Sequence, residues 1–460
     1  MNTTILKTIA VGLVAVVVSG CASTSPDAGF DQVRDIIAQR TGHQVQWRGH
    51  GTEDTAIDEA VGAMLAHELT VDQAVQIALL NNRHLQADFE DLGIAQADLV
   101  RAGLLSNPVF AASWRFPDRP PSITNAEYSI SQNFLDILIL PLRQKVARRE
   151  FESTRLNITH QVLELTAQVK TAWYTLVARR QLLERMKLIV DLNRVAAELA
   201  QRQYQAGTAN ELTMLNLRSQ YEQSRIDLSQ FESQESADRE QLNRLLGLWG
   251  DQTTWTLPDH LPDIPPREIP LEHLESLAIR QRLDLAAMRN QVIAMGDALA
   301  AAGAVPFPAN MEIGLSTERD TDGQHVTGPT LSLELPIFDH GQARIDKSAA
   351  QYRRMQRRYE AQAIDIRSQV RQARDQLVAR RTLAQQYHNL LPLRLSILQH
   401  LLKQYNGMLK SPYDLMQAKQ RQALTEQAGI EARRDYWIAR ADLELALGGQ
   451  LPQSQPEQQP

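Results

Sequence analysis

The 460-residue sequence predicts a mainly α chain with membrane β: two tandem repeats, each a long antiparallel coiled-coil hairpin that also contributes two short strands. Three observations predict this. The chain aligns with itself at an offset of about 200 residues. In each copy apolar residues recur at alternating steps of three and four along a very long helix. Four short segments between the helices alternate apolar and polar residues at period two.

Composition sets the outer limits. Apolar residues make up 43% and charged residues 22% of the chain, the balance of a folded protein. A mean hydropathy of −0.34 excludes a bundle of membrane-spanning helices, but not a membrane β-barrel, whose alternating strands barely raise the average. Lys and Arg number 48 against 54 Asp and Glu, so nucleic acid is not expected as a partner. The single cysteine rules out internal disulfides and any cysteine-clustered metal site.

That cysteine closes the leader. Lys7 precedes the apolar run Ile9 to Val18, which has the length of a secretory signal rather than of a membrane span. Val18-Ser19-Gly20-Cys21 resembles the bacterial lipoprotein signal, in which the cysteine is acylated and becomes the new N-terminus. Two or more acyl chains anchor stably where one is marginal. Cys21 is therefore expected to be a lipid anchor and the only covalent adduct; no cofactor is expected. Ala22 at the next position favours the outer membrane in that lipoprotein class.

The repeat is visible at both apolar and polar positions. Ala78/Ala278, Leu85/Leu285, Leu99/Leu299, Ala102/Ala302, Gly103/Gly303 and Pro108/Pro308 match at an offset of 200, which later becomes 201. Copy one carries Val162, Leu165, Val169, Ala172, Leu176, Leu183, Met186, Val190, Ala197, Ala200 and Tyr204. Copy two answers with Ala363, Ile366, Val370, Ala373, Leu377, Ala384, Tyr387, Leu391, Leu398, Leu401 and Tyr405. The polar breaks coincide too, Arg179 with Arg380 and Asn193 with Arg394. Each first arm, about 65 residues long, ends at a turn. Gly207 and Gly407 are expected to supply the positive φ, and Pro412 the first turn of the helix that follows. Pro392 interrupts the second arm, whereas Asp191 holds the equivalent place in the first.

The strands are expected at about 108–116, 127–136, 310–318 and 329–335, paired by polar loops at 117–126 and 319–329. One face collects Phe110, Trp114, Phe116, Tyr128, Ile130, Phe134, Ile313, Leu315, Leu331 and Leu333. The other collects Ser113, Arg115, Glu127, Ser129, Ser131, Asn133, Glu312, Ser316, Ser332 and Glu334. A soluble sheet would bury the apolar face inside the chain; a membrane sheet would turn it to lipid. Four strands cannot close a barrel, and an open edge cannot sit in hydrocarbon, so a membrane sheet requires several chains. Three chains would give twelve strands, an even number within the range of such barrels.

The arrangement resembles the TolC-like outer membrane factors, the exit ducts of Gram-negative efflux and secretion systems. The resemblance rests on Leu69 to Asn81 (LTVDQAVQIALLN), Ser106-Asn107-Pro108, Leu335 to Gly341 (LPIFDHG) and the tip segments Tyr204 to Gly207 and Tyr413 to Met416, in order across two repeats. It covers nearly all of the mature chain. It implies a homotrimer with a twelve-stranded barrel in the outer membrane, continued by a helical tunnel in the periplasm. It also implies docking by a periplasmic adaptor and an inner-membrane pump. The lipoprotein signal places the chain nearer the branch that serves RND-type pumps, and Arg40 to Trp47 is similar to N-terminal segments of the heavy-metal subgroup, so drugs or heavy-metal cations are the expected cargo.

By the same resemblance Asp414 occupies the first of two acidic gate positions, Gln417 departs from the second, and Lys410 stands where a basic residue helps hold the closed tip. Three copies of Asp414 would form a ring favouring cations; the alternative is a helix-start acid stabilised by the dipole after Pro412, and both readings stay open. Gly207, Thr208, Leu212, Gly407, Ser411 and Leu415 are candidate adaptor contacts, with plain hairpin closure as the alternative.

No catalytic motif is present: His67-Glu68 belongs to no zinc motif, the 11 histidines are scattered, and no phosphate loop or nucleophile triad occurs. The chain is therefore expected not to be an enzyme and to hold no metal site. Arg353, Arg354, Arg357 and Arg358 read as a solvated helix face rather than a nucleic-acid patch. The expected bounds are a signal peptide at 1–20, a lipid-anchored tether at 21–68, repeat one at 69–249 with its tip at about 206–211, and a linker at 250–270. Repeat two spans 271–448 with its tip at about 407–412, and a disordered tail follows at 449–460. The reading from a different class is a lipid-anchored periplasmic coiled-coil scaffold or adaptor with no pore.

Overall fold

The computed structural model describes residues 29–49, 52–121, 123–304 and 311–452. The leader, Cys21 and the end of the tail lie outside the described residues. The elements run α1 (Phe30–Thr41), α2 (Thr52–Leu65), α3 (Val71–Asn81), α4 (Arg83–Ala102), β1 (Val109–Arg115), β2 (Asn125–Asn133), α5 (Leu135–Gln205) and α6 (Glu211–Leu246). They continue as α7 (Leu274–Gln281), α8 (Leu283–Ala304), β3 (Met311–Arg319), β4 (His325–Leu333), α9 (Gln342–Asn406) and α10 (Pro412–Ala446). The first arms have 71 and 65 residues, and Pro392 lies inside α9. The described residues divide into two compact units.

One unit comprises residues 29–31, 89–157 and 284–361 and holds the sheet. Its strands lie in the order β1-β2-β3-β4, every neighbour antiparallel, so both outer edges are open. Two strand bounds differ from the sequence expectation. β2 begins at Asn125 and stops at Asn133, because the Asn133 side chain accepts the Leu135 N–H at 3.0 Å and starts α5 there. β4 begins at His325 rather than near Pro329, because a tight turn at 320–324 replaces the long loop: Gly323 N–H donates to Asp320 O and sits at φ 89°. Pro329 does not interrupt β4. The bond from Asp320 N–H to Gln324 O fixes the alternation of the β3–β4 ladder, and that alternation turns the backbone of residue 329 away from β3. Its missing N–H therefore falls on the outer edge, where it costs no ladder bond within the chain. Beside the sheet, α5 is tied to the end of α4 by Arg143, which donates to the Ala102 carbonyl, and to α8 by the Lys145–Asp297 pair at 2.7 Å.

The other unit comprises residues 32–88, 158–283 and 362–452. The heptad residues Val162, Val169, Ala172, Leu176, Ile366, Val370, Ala373 and Leu377 are buried, as the spacing requires. The first pair of matched polar breaks has one explanation: Arg179 pairs with Asp238 on α6 at 3.0 Å, and Arg380 pairs with Asp435 on α10 at 3.1 Å. Each arginine thus binds the returning arm of its own hairpin. The linker is held in place by Trp437 Nε1 donating to Pro262 O, by Arg381 donating to Pro265 O, and by Glu268, which faces Arg381 at 2.8 Å and accepts from the Tyr436 hydroxyl.

The repeats also end alike. Gly247 closes α6 at φ 69° while the Asn81 amide donates to the Leu246 and Gly247 carbonyls. In copy two Gly448, at φ 93°, takes that place beside the Gln281 carbonyl. The cross-link there comes from the N-terminal segment: Arg40 Nη1 donates to both Gln281 O and Gly448 O.

Candidate functional site

The register brings the predicted apolar residues onto one surface. Phe110 pairs with Ile130, Ile130 with Leu315, and Ile313 with Leu331. Phe110 stacks on Tyr128 at 6.5 Å between ring centroids, and Trp114 meets Tyr128 edge-on at 5.9 Å. All ten of these apolar side chains are exposed in the single chain, from Tyr128 at 39% to Phe116 at 79%. The chain does not bury this face in its own interior. The apolar surface continues past the strands through Leu138, Leu335, Ile337 and Phe338, the last 92% exposed. Of these, the sequence alternation already sets Leu335 on the apolar face; Leu138, Ile337 and Phe338 have no such signal, although the last two sit inside the Leu335 to Gly341 motif.

The opposite face is polar and internally bonded. Arg115 reaches Glu127 at 3.1 Å, the Asn125 amide donates to Glu318 at 2.6 Å, and the Ser131 hydroxyl donates to Glu312 at 3.0 Å. Glu127 and Glu318 are direct cross-strand partners, a like-charge placement that a sheet tolerates only at a cost.

At the hairpin tips Asp414 is the third residue of α10 and completes a capping box: the Ser411 N–H donates to its carboxylate at 3.0 Å and the Ser411 hydroxyl at 2.9 Å. These bonds, with Lys410 adding to them, hold the carboxyl below the usual carboxylate range. Ser411 is thus the N-cap, and Pro412 is the first helical residue. Gly207 adopts φ 75° as expected, with the Thr208 N–H returning to Gln203 O. In copy two the left-handed residue is Met408 at φ 61°, not Gly407, because α9 runs to Asn406 and the Leu409 N–H is the one that reaches back to Gln404 O. A non-glycine residue in that conformation is held at a cost of about 1–2 kcal/mol. Met408 is also 94% exposed, and Leu409, Leu212, Gly407, Gln417 and Lys410 are exposed around the two turns. Leu415 is half-buried. One link escaped the sequence reading altogether: the Tyr413 hydroxyl donates to the Gln203 side chain, joining the two tips.

Among the described residues no group of His, Cys, Asp and Glu could hold a metal, and no helix is long and apolar enough to cross a membrane. A groove of about 930 Å³ lies between α5, α9, α10 and the linker. Its arginines 180, 185, 381 and 433 already face Asp259, Glu426, Glu268 and Asp263, so the groove offers no uncompensated charge to a ligand.

Against this geometry the family model for outer membrane efflux proteins matches residues 74–248 and 274–449, most of each repeat. The chain belongs to the outer membrane efflux protein family. Its fold is shared with solved channels of low sequence identity. The outer membrane channel CmeC of Campylobacter jejuni is 16% identical, with a TM-score of 0.70 over 84% of this chain and 87% of that one. CusC is 18% identical with a TM-score of 0.67, over 83% and 92%. The open state of the MtrE outer membrane channel of Neisseria gonorrhoeae is 18% identical with a TM-score of 0.65, over 83% and 89%. A comparison with curated proteins returns no match. The chain is an outer-membrane channel of a tripartite efflux system, and channels of this kind are trimeric and work with periplasmic adaptors and inner-membrane pumps.

Proposed function

We propose that three copies of this chain close a twelve-stranded barrel in lipid and conduct, without energy input of their own, solutes delivered by an RND-type pump through its adaptor. The observation that carries the proposal is the exposed apolar face of a sheet with two open edges. Neither feature is stable in water or lipid for one chain alone, and joining the edges of several copies removes both difficulties. The polar face then lines a water-filled passage, and the duct acts by supplying water where the solute would otherwise meet hydrocarbon. The lipoprotein-type leader supports acylation of Cys21 and the RND branch; the segment from Arg40 to Trp47 supports heavy-metal cations within a cargo class of drugs or heavy-metal cations.

The tips supply docking and closure. Met408 and Leu409 join Gly207, Thr208, Leu212, Gly407, Ser411 and Leu415 as the adaptor surface: an exposed Met-Leu pair with its methionine in a strained conformation persists where something else uses it. Asp414, Lys410 and Gln417 form the gate region, with Tyr413–Gln203 as a bond that opening must break.

One preparation tests the proposal. The full chain, extracted with detergent from outer membranes, is expected to run as a trimer, to carry acyl groups on its N-terminal cysteine by mass spectrometry, and to give ion-conducting pores in planar bilayers. A protein that is monomeric without detergent and does not conduct would be a scaffold, and the channel reading would fail.

A further inference from the structure

We infer that the open sides of neighbouring copies meet through a charged helix seam, in which the arginine-rich face of α9 on one copy packs against the acidic face of α4 on the next. The inference rests on the proposed ring of copies and adds which surfaces meet and what chemistry matches them. The order of elements supplies the first premise. β1 and β4 are the unpaired edges of the sheet; α4 leads into β1, and β4 leads into α9. A ring that pairs β4 with the next copy's β1 brings α9 beside the next copy's α4.

The repeat supplies the second premise, because the chain already contains one such junction. β2 pairs with β3, and α5, which follows β2, packs on α8, which precedes β3. Lys145 meets Asp297 at 2.7 Å, and Arg149 lies 3.5 Å from Asn290. β4 and α9 are the second-copy counterparts of β2 and α5; β1 and α4 are the first-copy counterparts of β3 and α8. What the internal junction covers, the outer sides leave open. Ala294 on α8 is 0% exposed, whereas Ile94, the same position in α4, is 61% exposed. Ser153 on α5 is buried, whereas its counterpart Arg354 is exposed.

Charge and level supply the third premise. The exposed stripe of α4 carries Glu90, Asp91 and Asp98 around Ile94 and Ala97, with Arg101 at its sheet end. That of α9 carries Arg344, Lys347, Arg353, Arg354, Arg357 and Arg358, with Asp346 and Glu360 its acids, Glu360 facing Arg357 at 2.8 Å. The internal junction sets the level. The counterparts of Lys145–Asp297 and Arg149–Asn290 are Asp346–Ala97 and Ala350–Glu90, which puts Lys347 within a turn of Asp98, and Arg353 and Arg354 about a turn from Glu90 and Asp91. Each exposed ion pair is weak on its own. Their use is directional: a heterologous contact closes a ring only if every copy faces the same way, and a reversed copy would set arginine against arginine.

Paired cysteines and charge exchange test the seam in the full-length protein in its membrane. Ala97→Cys together with Asp346→Cys, the counterparts of the Asp297–Lys145 contact, treated with a short bismaleimide, is expected to yield covalent dimers and trimers on denaturing gels that neither single variant yields. Arg353→Glu with Arg354→Glu and Arg357→Glu is expected to lose the trimer. Adding Glu90→Arg, Asp91→Arg and Asp98→Arg is expected to restore it, which a purely structural defect would not allow. Conducting trimers that give no cross-link and ignore the charge reversal overturn the seam and leave the channel reading standing. A wild-type chain that forms neither trimers nor pores overturns both.

Discussion

At the scale of single residues, the two ends of the repeat show how much a close approach can decide. A Cβ built on Gly247 would lie 2.4 Å from the Asn81 carbonyl oxygen, and φ is 69°. Gly207 has a similar φ of 75° but nothing within 4 Å of its would-be Cβ. The two glycines therefore separate backbone strain from contact. Gly207→Ala is expected to cost about 1 kcal/mol, the strain of the left-handed conformation alone. Gly247→Ala must also push the Asn81 turn away from α6, and is expected to cost about 2–4 kcal/mol. Thermal unfolding in detergent, followed by circular dichroism, reads the difference directly; equal losses would mean the α3–α6 contact yields freely. Gly207 was legible in sequence as the end of a repeated helix. The role of Asn81 was not, because its partner lies more than 160 positions away and only the folded chain brings them together. The same holds for Arg40, which in copy two provides a cross-link that copy one makes with an asparagine.

At the scale of elements, the hairpin tips divide into what a local pattern announces and what it does not. Ser411-Pro412-Tyr413-Asp414 reads as a helix start, and the capping box forms as written. Met408 in the left-handed position was passed over because Gly407 is adjacent and is the residue expected there, although the offset of 201 sets Met408, not Gly407, opposite Gly207. The box has a definite pH signature. The Ser411 bonds, and secondarily Lys410, lower the Asp414 carboxyl from its ordinary 3.8. A group lowered by folding contributes stability above its unfolded value and loses it as the pH falls through the folded one. The tip is accordingly insensitive to pH from about 5 to 8 and loosens only in stronger acid. Resting conductance of purified trimers is expected to be flat across that range and to rise below the ordinary aspartate value. Asp414→Ala is expected to be leakier at neutral pH and to lack the acid step. A conductance step near pH 6 in the wild type would assign the gate to histidine instead.

At the scale of the whole molecule, the sheet decides what kind of protein this is, and it was also the most legible part of the sequence. Period-two alternation survives in sequence because neighbouring residues face different media, so Leu315 and Ser316 differ in kind although they are adjacent. The strand limits were less legible, since they depend on an asparagine cap at 133 and on the open edge that accommodates Pro329. The two faces make opposite predictions for one substitution. Leu315→Arg would place three guanidinium groups, one per copy, in hydrocarbon at about 2–4 kcal/mol each if they lie near the bilayer midplane. Membrane-assembled trimer is expected to fall at least tenfold, since about 1.4 kcal/mol already corresponds to a factor of ten. Ser316→Arg would place the same charge on the polar face next to Glu127 and Glu318. Those trimers are expected to assemble normally, with the reversal potential in a salt gradient shifted toward anions. Equal assembly of both variants would mean that the apolar face does not meet lipid, and with it the barrel would have to be given up.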